Sequence, residues 1–248
     1  MNKRRIFLLI SLFLMQSFAL AQARAPLAAN IDVRNLIASP QFSNSIQLII
    51  SLSLISLIPF FLVSVTSFLR IIIVFSFIRT AIGTQSVPPN SVLTGLALFM
   101  TIFVMSPVWQ DINKNAFTPY NEGKISQAKA IEIGTKPLQK FMVRQTREKD
   151  LALFVQFAKI KVPKTAEEVP MYVLIPSFMI SELKTAFQIG FLLFIPFIMI
   201  DLTVSNILLS LGMFMLSPVM VSLPFKILLF VLVDGWNLIA RGLLMSFR

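Results

Sequence analysis

The sequence contains no cysteine and no histidine. Without cysteine there is no disulfide, no thiolate nucleophile and no sulfur ligand for a metal. Without histidine the usual general base near neutral pH is missing, and so is the commonest zinc and iron ligand. Charge is sparse as well: Asp, Glu, Lys and Arg make up 13% of the 248 residues, against about 25% in an ordinary soluble domain. No phosphate-binding loop, nucleotide fingerprint or nucleophile–base pair is visible along the chain. These absences argue against an enzyme and lead us to expect neither a metal nor a cofactor.

Apolar surface is what the chain has in excess. Hydrophobic residues make up 56% of it and the mean hydropathy is +0.81. A soluble fold of this length cannot hide so much, so lipid or neighbouring subunits must cover the remainder. The net charge of +11 would point to nucleic acid in a soluble protein. Here the basic residues flank and connect apolar segments, where they serve as interfacial anchors and loop charges. No nucleic-acid partner is therefore expected.

The N-terminus reads MNKRRIFLLISLFLMQSFALAQARA. Lys3, Arg4 and Arg5 form a basic region, Ile6 to Met15 an apolar one, and two small-x-small cleavage sites end at Ala21 and Ala23. This is the pattern of a signal peptide. The apolar run is short for a membrane span, which needs about 20 residues. Residues 1–21 are expected to be removed, leaving 22–248 as one membrane domain whose N-terminus faces the periplasm.

Residues 46–78 are almost continuously apolar, about 50 Å if helical. A bilayer core is only ~30 Å thick, so this stretch is expected to kink, with Pro59 the natural place. Residues 79–90 form a connector with Gly83 and Pro88-Pro89, and residues 91–109 a second apolar segment closing at Pro107 and Trp109. Residues 110–170 hold most of the lysines. They are read as a periplasmic helical region, with a helix capped at Thr135 and Pro137 in its first turn. Leu138, Phe141 and Met142, then Leu151, Phe154, Val155 and Ala158, give it an apolar stripe. Phe141 and Phe154 are expected to pack in that region's own core or on a neighbour. Residues 171–200 are apolar again, interrupted by Pro176 and Pro196 and ended by Asp201; segments 202–223 and 225–244 follow. The expected fold is an all-α integral membrane protein of about four kinked hydrophobic helices or hairpins plus the helical periplasmic region.

Charges inside apolar segments cost about 2.5 kcal/mol or more each, so every one needs a partner or a purpose. Arg70, Glu182, Lys184, Asp201, Lys226 and Asp234 are such charges. Glu182 and Lys184 stand two apart and cannot face each other on a helix; Lys226 is a candidate partner for Glu182. Buried pairs that fix helix register, within or between subunits, are the first reading. A secondary transporter relaying protons or ions through Glu182, Lys184 and Asp201 is the alternative, although the chain lacks the repeat symmetry usual for one. Met213-Phe214-Met215 lies between Gly212 and Pro218; on its own it reads as ordinary lipid-facing or core residues.

Five long strings carry a more specific signal: TSFLRIIIVFSFIRTAIGTQSVPPN (66–90), LALFMTIFVMSPV (96–108), RQTREKDLALF (144–154), SELKTAFQIGFLLFIPFIMIDL (181–202) and LPFKILLFVLVDGW (223–236). They resemble the FliP family of flagellar type III export-gate subunits, over essentially all of residues 45–245. The resemblance implies an α-helical subunit. About five copies would assemble with FliQ-like and FliR-like proteins into a helical hetero-oligomeric channel, completed by FlhB-like and FlhA-like gate proteins. Unfolded flagellar proteins would pass through it at the basal body, across the bacterial inner membrane. Much of the apolar surface would then pack on neighbouring subunits rather than lipid. The resemblance also implies a methionine-rich channel constriction at Met213, Phe214 and Met215, with Phe214 a departure from the usual run of methionines.

Overall fold

The computed structural model describes residues 40–160, 165 and 168–247, and is helical wherever it is regular. The expected signal peptide and its candidate cleavage sites lie outside the described residues. The chain divides after Ser56 into two units. The first contributes α1 (Pro40–Ser56), in which the hydroxyls of Ser51 and Ser53 donate to carbonyls four residues back.

The second unit, Leu57–Arg248, begins with α2 (Ile58–Val65) and α3 (Phe68–Ile82). Pro59 stands in the first turn of α2, where its missing N–H costs nothing. It therefore opens a helix rather than kinking one. Gly83 ends α3 at φ +91°, its N–H donating to the carbonyl of Thr80 at 3.0 Å. The Pro88-Pro89 pair precedes α4 (Asn90–Ile112), which continues through a π-turn (Asn113–Phe117) into α5 (Thr118–Asn121). The polar stretch then folds as α6 (Gln127–Gln145) and α7 (Glu148–Phe157). α8 (Met171–Ser210) is a single helix of 40 residues, about 60 Å long. α9 (Pro218–Leu232) and α10 (Gly235–Met245) close the chain, bent by 62° at the break between them.

Among the described residues, three helical stretches are long and apolar enough to cross a membrane: Gln47–Val65, Asn90–Asn121 and Met171–Ser210; the bent α9–α10 pair makes a fourth if it is one span. The chain is an all-α membrane protein. The expected breaks at proline are mostly absent. Pro107, Pro137, Pro176, Pro196 and Pro224 all sit inside helices. The second apolar segment thus runs beyond Pro107, and α8 runs past Pro176, Pro196 and Asp201. The last two segments were expected to part near Pro218 to Pro224; the turn at residues 211–217 ends at Pro218, and Pro224 lies inside the helix that follows. α6 starts not at Thr135 but at Ser126, whose hydroxyl accepts from the Lys129 N–H at 3.4 Å. A proline removes one backbone bond, and in apolar helices neighbouring helices and hydroxyl side chains restore the freed groups. Ser76, Thr101, Ser177 and Thr185 each bond a carbonyl four residues back. No hydroxyl among these four is left unsatisfied where water is scarce.

α3 is the hub of the core. Phe68, Ile71, Phe75, Ile78 and Ile82 recur every three to four residues and are all buried, the spacing of one helical face. They meet Leu93, Ala97 and Met100 of α4, Ala186 and Phe197 of α8, and Phe230, Ile239 and Leu243 of the C-terminal pair. A second cluster joins α6 and α7 to α8: Met142 and Val155 against Val173, Leu174 and Phe178, with Phe141, Leu151, Phe154 and Ala158 packed on it. Phe141 and Phe154 thus lie on the first turns of α8 rather than in a separate core. Phe141 also touches Phe247, their rings stacked at 6.4 Å.

Gly190 lets α8 approach α3. A Cβ there would stand 2.6 Å from the Phe77 ring, well inside contact distance. Gly190→Ala is expected to lower the thermal midpoint of the detergent-solubilised chain, through an overpacking cost of about 1–3 kcal/mol. An unchanged midpoint would refute the close approach.

Candidate functional site

Arg70 enters the core near the start of α3, 2% exposed, and Glu182 meets it from α8, fully buried. Arg70 Nε donates to Glu182 Oε2 at 2.9 Å, and Nη2 donates to Glu182 Oε1 and to Gln145 Oε1, the latter at 3.0 Å. Nη1 donates to both the carbonyl and the hydroxyl oxygen of Ser246, each at 3.0 Å. A guanidinium has five N–H donors, and these five bonds use them all. The ring of Phe247 lies 4.0 Å from the guanidinium carbon, in cation–π range. One side chain thereby ties α3, α8, the end of α6 and the end of α10. The Ser246 carbonyl lies at a helix C-terminus, where a cation is favoured by the helix dipole.

Lys226 does not reach Glu182, as the sequence had suggested. It is buried on α9 and donates to Asp201 Oδ2 at 2.6 Å and to the Ala81 carbonyl at 3.3 Å. Ser222 donates to the other oxygen of Asp201 at 2.5 Å. Asp201, on α8, is therefore held by two groups of α9 and is 30% exposed. The geometry has a simple origin. Ser222 and Lys226 are four apart and share a helix face, and α9 folds back along α8.

Two of the six charges in apolar segments have no ion pair or side-chain hydrogen bond among the described residues. Lys184 is exposed on α8, and Asp234 is exposed between α9 and α10. Asp234 adopts φ +51°, a left-handed conformation that aspartate tolerates better than most residues. It is followed by Gly235, at which a Cβ would strike the Phe230 ring at 2.2 Å. That junction sets the 62° bend.

Met213, Phe214 and Met215 occupy the turn joining α8 to α9. Gly212, at φ +73°, donates to the Leu209 carbonyl, and Met213 donates to that of Leu208. This pair of bonds is the Schellman ending of a helix, so the turn has a fixed geometry. Yet it is apolar and bare. Phe214 is 75% exposed and Met215 completely so, and Leu211 and Met220 beside them are open too.

Several participants carried no sequence signal. Gln145, Ser246 and Phe247 complete the Arg70 site, and Ser222 completes that of Asp201. Arg147 anchors α7 to α8: its backbone N–H donates to Ser181 Oγ at 2.8 Å, and its guanidinium to Thr185 and Gln188. Polar residues this common gain a role only from what folds against them. Among the described residues no group of acidic side chains could hold a metal ion. In the polar region, the ammonium of Lys129 bonds Glu132 and holds its exposed carboxyl below the usual range.

Comparison with known proteins gives these features a context. The sequence model of the FliP family matches residues 51–243. A flagellar biosynthetic protein FliP of Bacillus subtilis is 53% identical over 205 residues, covering 83% of this chain and 93% of its own. The protein of that name from Pectobacterium carotovorum is 53% identical over 203 residues, 82% of this chain and 79% of its own. That of Caulobacter vibrioides is 46% identical over 228 residues, 92% and 85% of the two chains. The matched span holds Arg70 with Glu182, Asp201 with Ser222 and Lys226, the bare turn and nearly all of the helical core, and on that coverage the chain belongs to the FliP family.

Proposed function

We propose that this chain is a channel-forming core subunit of the flagellar type III protein export gate. It acts in the bacterial inner membrane at the flagellar basal body, conducting unfolded flagellar proteins outward. About five copies assemble with FliQ-like and FliR-like subunits, and FlhB-like and FlhA-like proteins complete the gate. The observation that carries this reading is the apolar turn at Met213, Phe214 and Met215, held in a defined shape and left exposed by the described residues. A pore for unfolded chains must admit side chains of any shape and still block ions. Soft thioethers mould around varied cargo, and an apolar ring repels water. Arranged around an axis by several copies, such turns make a seal.

A transporter relay through Glu182, Lys184 and Asp201 is not favoured. Both oxygens of Glu182 are taken by Arg70 and both of Asp201 by Ser222 and Lys226, while Lys184 lies apart from them. The test is a strain lacking the gene. Hook and filament proteins are expected to vanish from its culture medium and to return with a plasmid copy. Normal secretion by the deletion strain would refute the proposal.

A further inference from the structure

One groove of the second unit is built from apolar walls and two unanswered cations. Its volume is about 1000 Å³. Phe103, Val104 and Pro107 of α4 form one wall and Ala240, Leu244 and Met245 of α10 another, with Phe247 between. Arg144, from the last turn of α6, and Arg241, from α10, both line it, joined by Asn237. Both arginines are exposed, and neither makes an ion pair or hydrogen bond within the described residues. They differ in this from Arg70, Arg79 and Arg147, each of which has acceptors in the chain.

The placement makes this lack of partners informative. α4 is one of the stretches able to cross a membrane, and Phe99, Ile102 and Phe103 on its outer side are widely exposed. An arginine beside such a surface sits close to hydrocarbon, where an uncompensated charge is costly. Both arginines line this groove, and each guanidinium is a planar fork of donors suited to the oxygens of a phosphate. The apolar walls leading from them suit acyl chains. Basic pockets between membrane helices are a recurrent way to hold anionic headgroups.

We propose that this groove binds an anionic phospholipid, its phosphodiester held by Arg144 and Arg241 with Asn237 as a further polar contact, and its acyl chains lying along α4 and α10. Phe247 also lines the groove, and its ring lies 4.0 Å from the guanidinium carbon of Arg70. A bound lipid would therefore brace the same C-terminal residues that complete the buried Arg70 site. The inference depends on membrane embedding and not on the export reading, so the two stand or fall separately.

The test uses the full-length protein purified in detergent and analysed by native mass spectrometry during titration with phosphatidylglycerol or with phosphatidylcholine of the same acyl chains. Phosphatidylglycerol is expected to bind more tightly, and Arg144→Gln with Arg241→Gln to weaken it by about tenfold to thirtyfold, as two lost surface cations imply. Lys124→Gln with Lys149→Gln, exposed charges elsewhere, should leave binding unchanged, which separates a site from general basicity. Glycerol phosphate, which has the headgroup charge without the chains, should not displace the lipid. Equal binding of the two lipids, wild-type binding by the double arginine variant, or full displacement by glycerol phosphate would each overturn the proposal. So would efficient crosslinking of an Arg241→Cys variant to a neighbouring subunit in native membranes, since protein would then occupy the groove.

Discussion

Arg70→Met is expected to remove most of the folded protein from membranes. The substitution leaves Glu182 buried with no counter-charge, a loss of about 3–5 kcal/mol for a broken buried pair. Whole-domain stabilities are only about 5–15 kcal/mol, so a loss of that size is a large share of the total. Arg70→Lys should rescue little. An ammonium offers three donors from one atom, where the site has acceptors arranged around a planar fork. The informative variant is the double replacement Arg70→Met with Glu182→Met. Apolar pairs of similar volume often substitute for buried ion pairs at no net cost, so the double variant should recover much of the lost accumulation. Recovery should fall short of wild type because Gln145 and Ser246 lose their donor, at about 1 kcal/mol each. Immunoblots of membranes, with thermal midpoints in detergent, measure all three. A single variant as abundant as wild type, or a double variant no better than the single, would refute this account.

The second large effect is expected at the turn between α8 and α9. Met213→Ala with Met215→Ala should leave assembly intact, because neither side chain touches the core, while ion leakage through the gate rises on the order of tenfold as the apolar constriction opens. Met213→Leu with Met215→Leu should leak less than the alanine pair, having similar bulk but less ability to re-form around cargo. Conductance of membranes containing the variant complex gives the measurement. Unchanged conductance in the alanine pair, with the complex intact on a native gel, would remove these residues from the seal.

The broad class of the fold was open to reading because it rests on composition. A chain with so little charge and such long apolar runs has few ways to exist outside a membrane, and helices are the natural way to satisfy its backbone there. The apolar stripe through Phe141, Met142, Phe154 and Val155 was likewise visible as a period. Its destination on Val173 and Phe178 was not, because periodicity gives a face and not the surface it meets. The prolines misled for a related reason. Their cost is judged against helices in water, whereas Pro176 and Pro196 lie in a helix whose neighbours absorb the defect.

The charge pairing failed on combinatorics. Glu182 had Arg70 and Lys226 as possible mates, and Lys226 had Glu182 and Asp201. The true pairs are 112 and 25 residues apart in sequence. Only the packing of α3 on α8, and of α9 back along α8, selects between them. The bare turn at Met213 to Met215 shows the reverse. Its helix ending at Gly212 fell inside a segment expected to run on to residue 223, and the role proposed for it rests on family resemblance, because an exposed apolar turn is a fault in an isolated chain and an asset only in an assembly.

The length of α8 carries a consequence for how the cell must make this protein. A rod of about 60 Å fits a hydrocarbon layer of ~30 Å only at a tilt of about 60°, beyond the 0–40° that membrane helices adopt. Roughly half of it must therefore project from the lipid, still studded with residues such as Phe187, Phe191 and Leu192 on one side and Leu202 and Ile207 further along. A subunit that reaches the bilayer ahead of its companions cannot bury this surface by any movement of its own, and it offers proteases and chaperones a standing target. Supply of this chain is thereby coupled to supply of whatever covers it. Overproduced alone, it should be short-lived, and its half-life in the cell should report the abundance of its assembly partners.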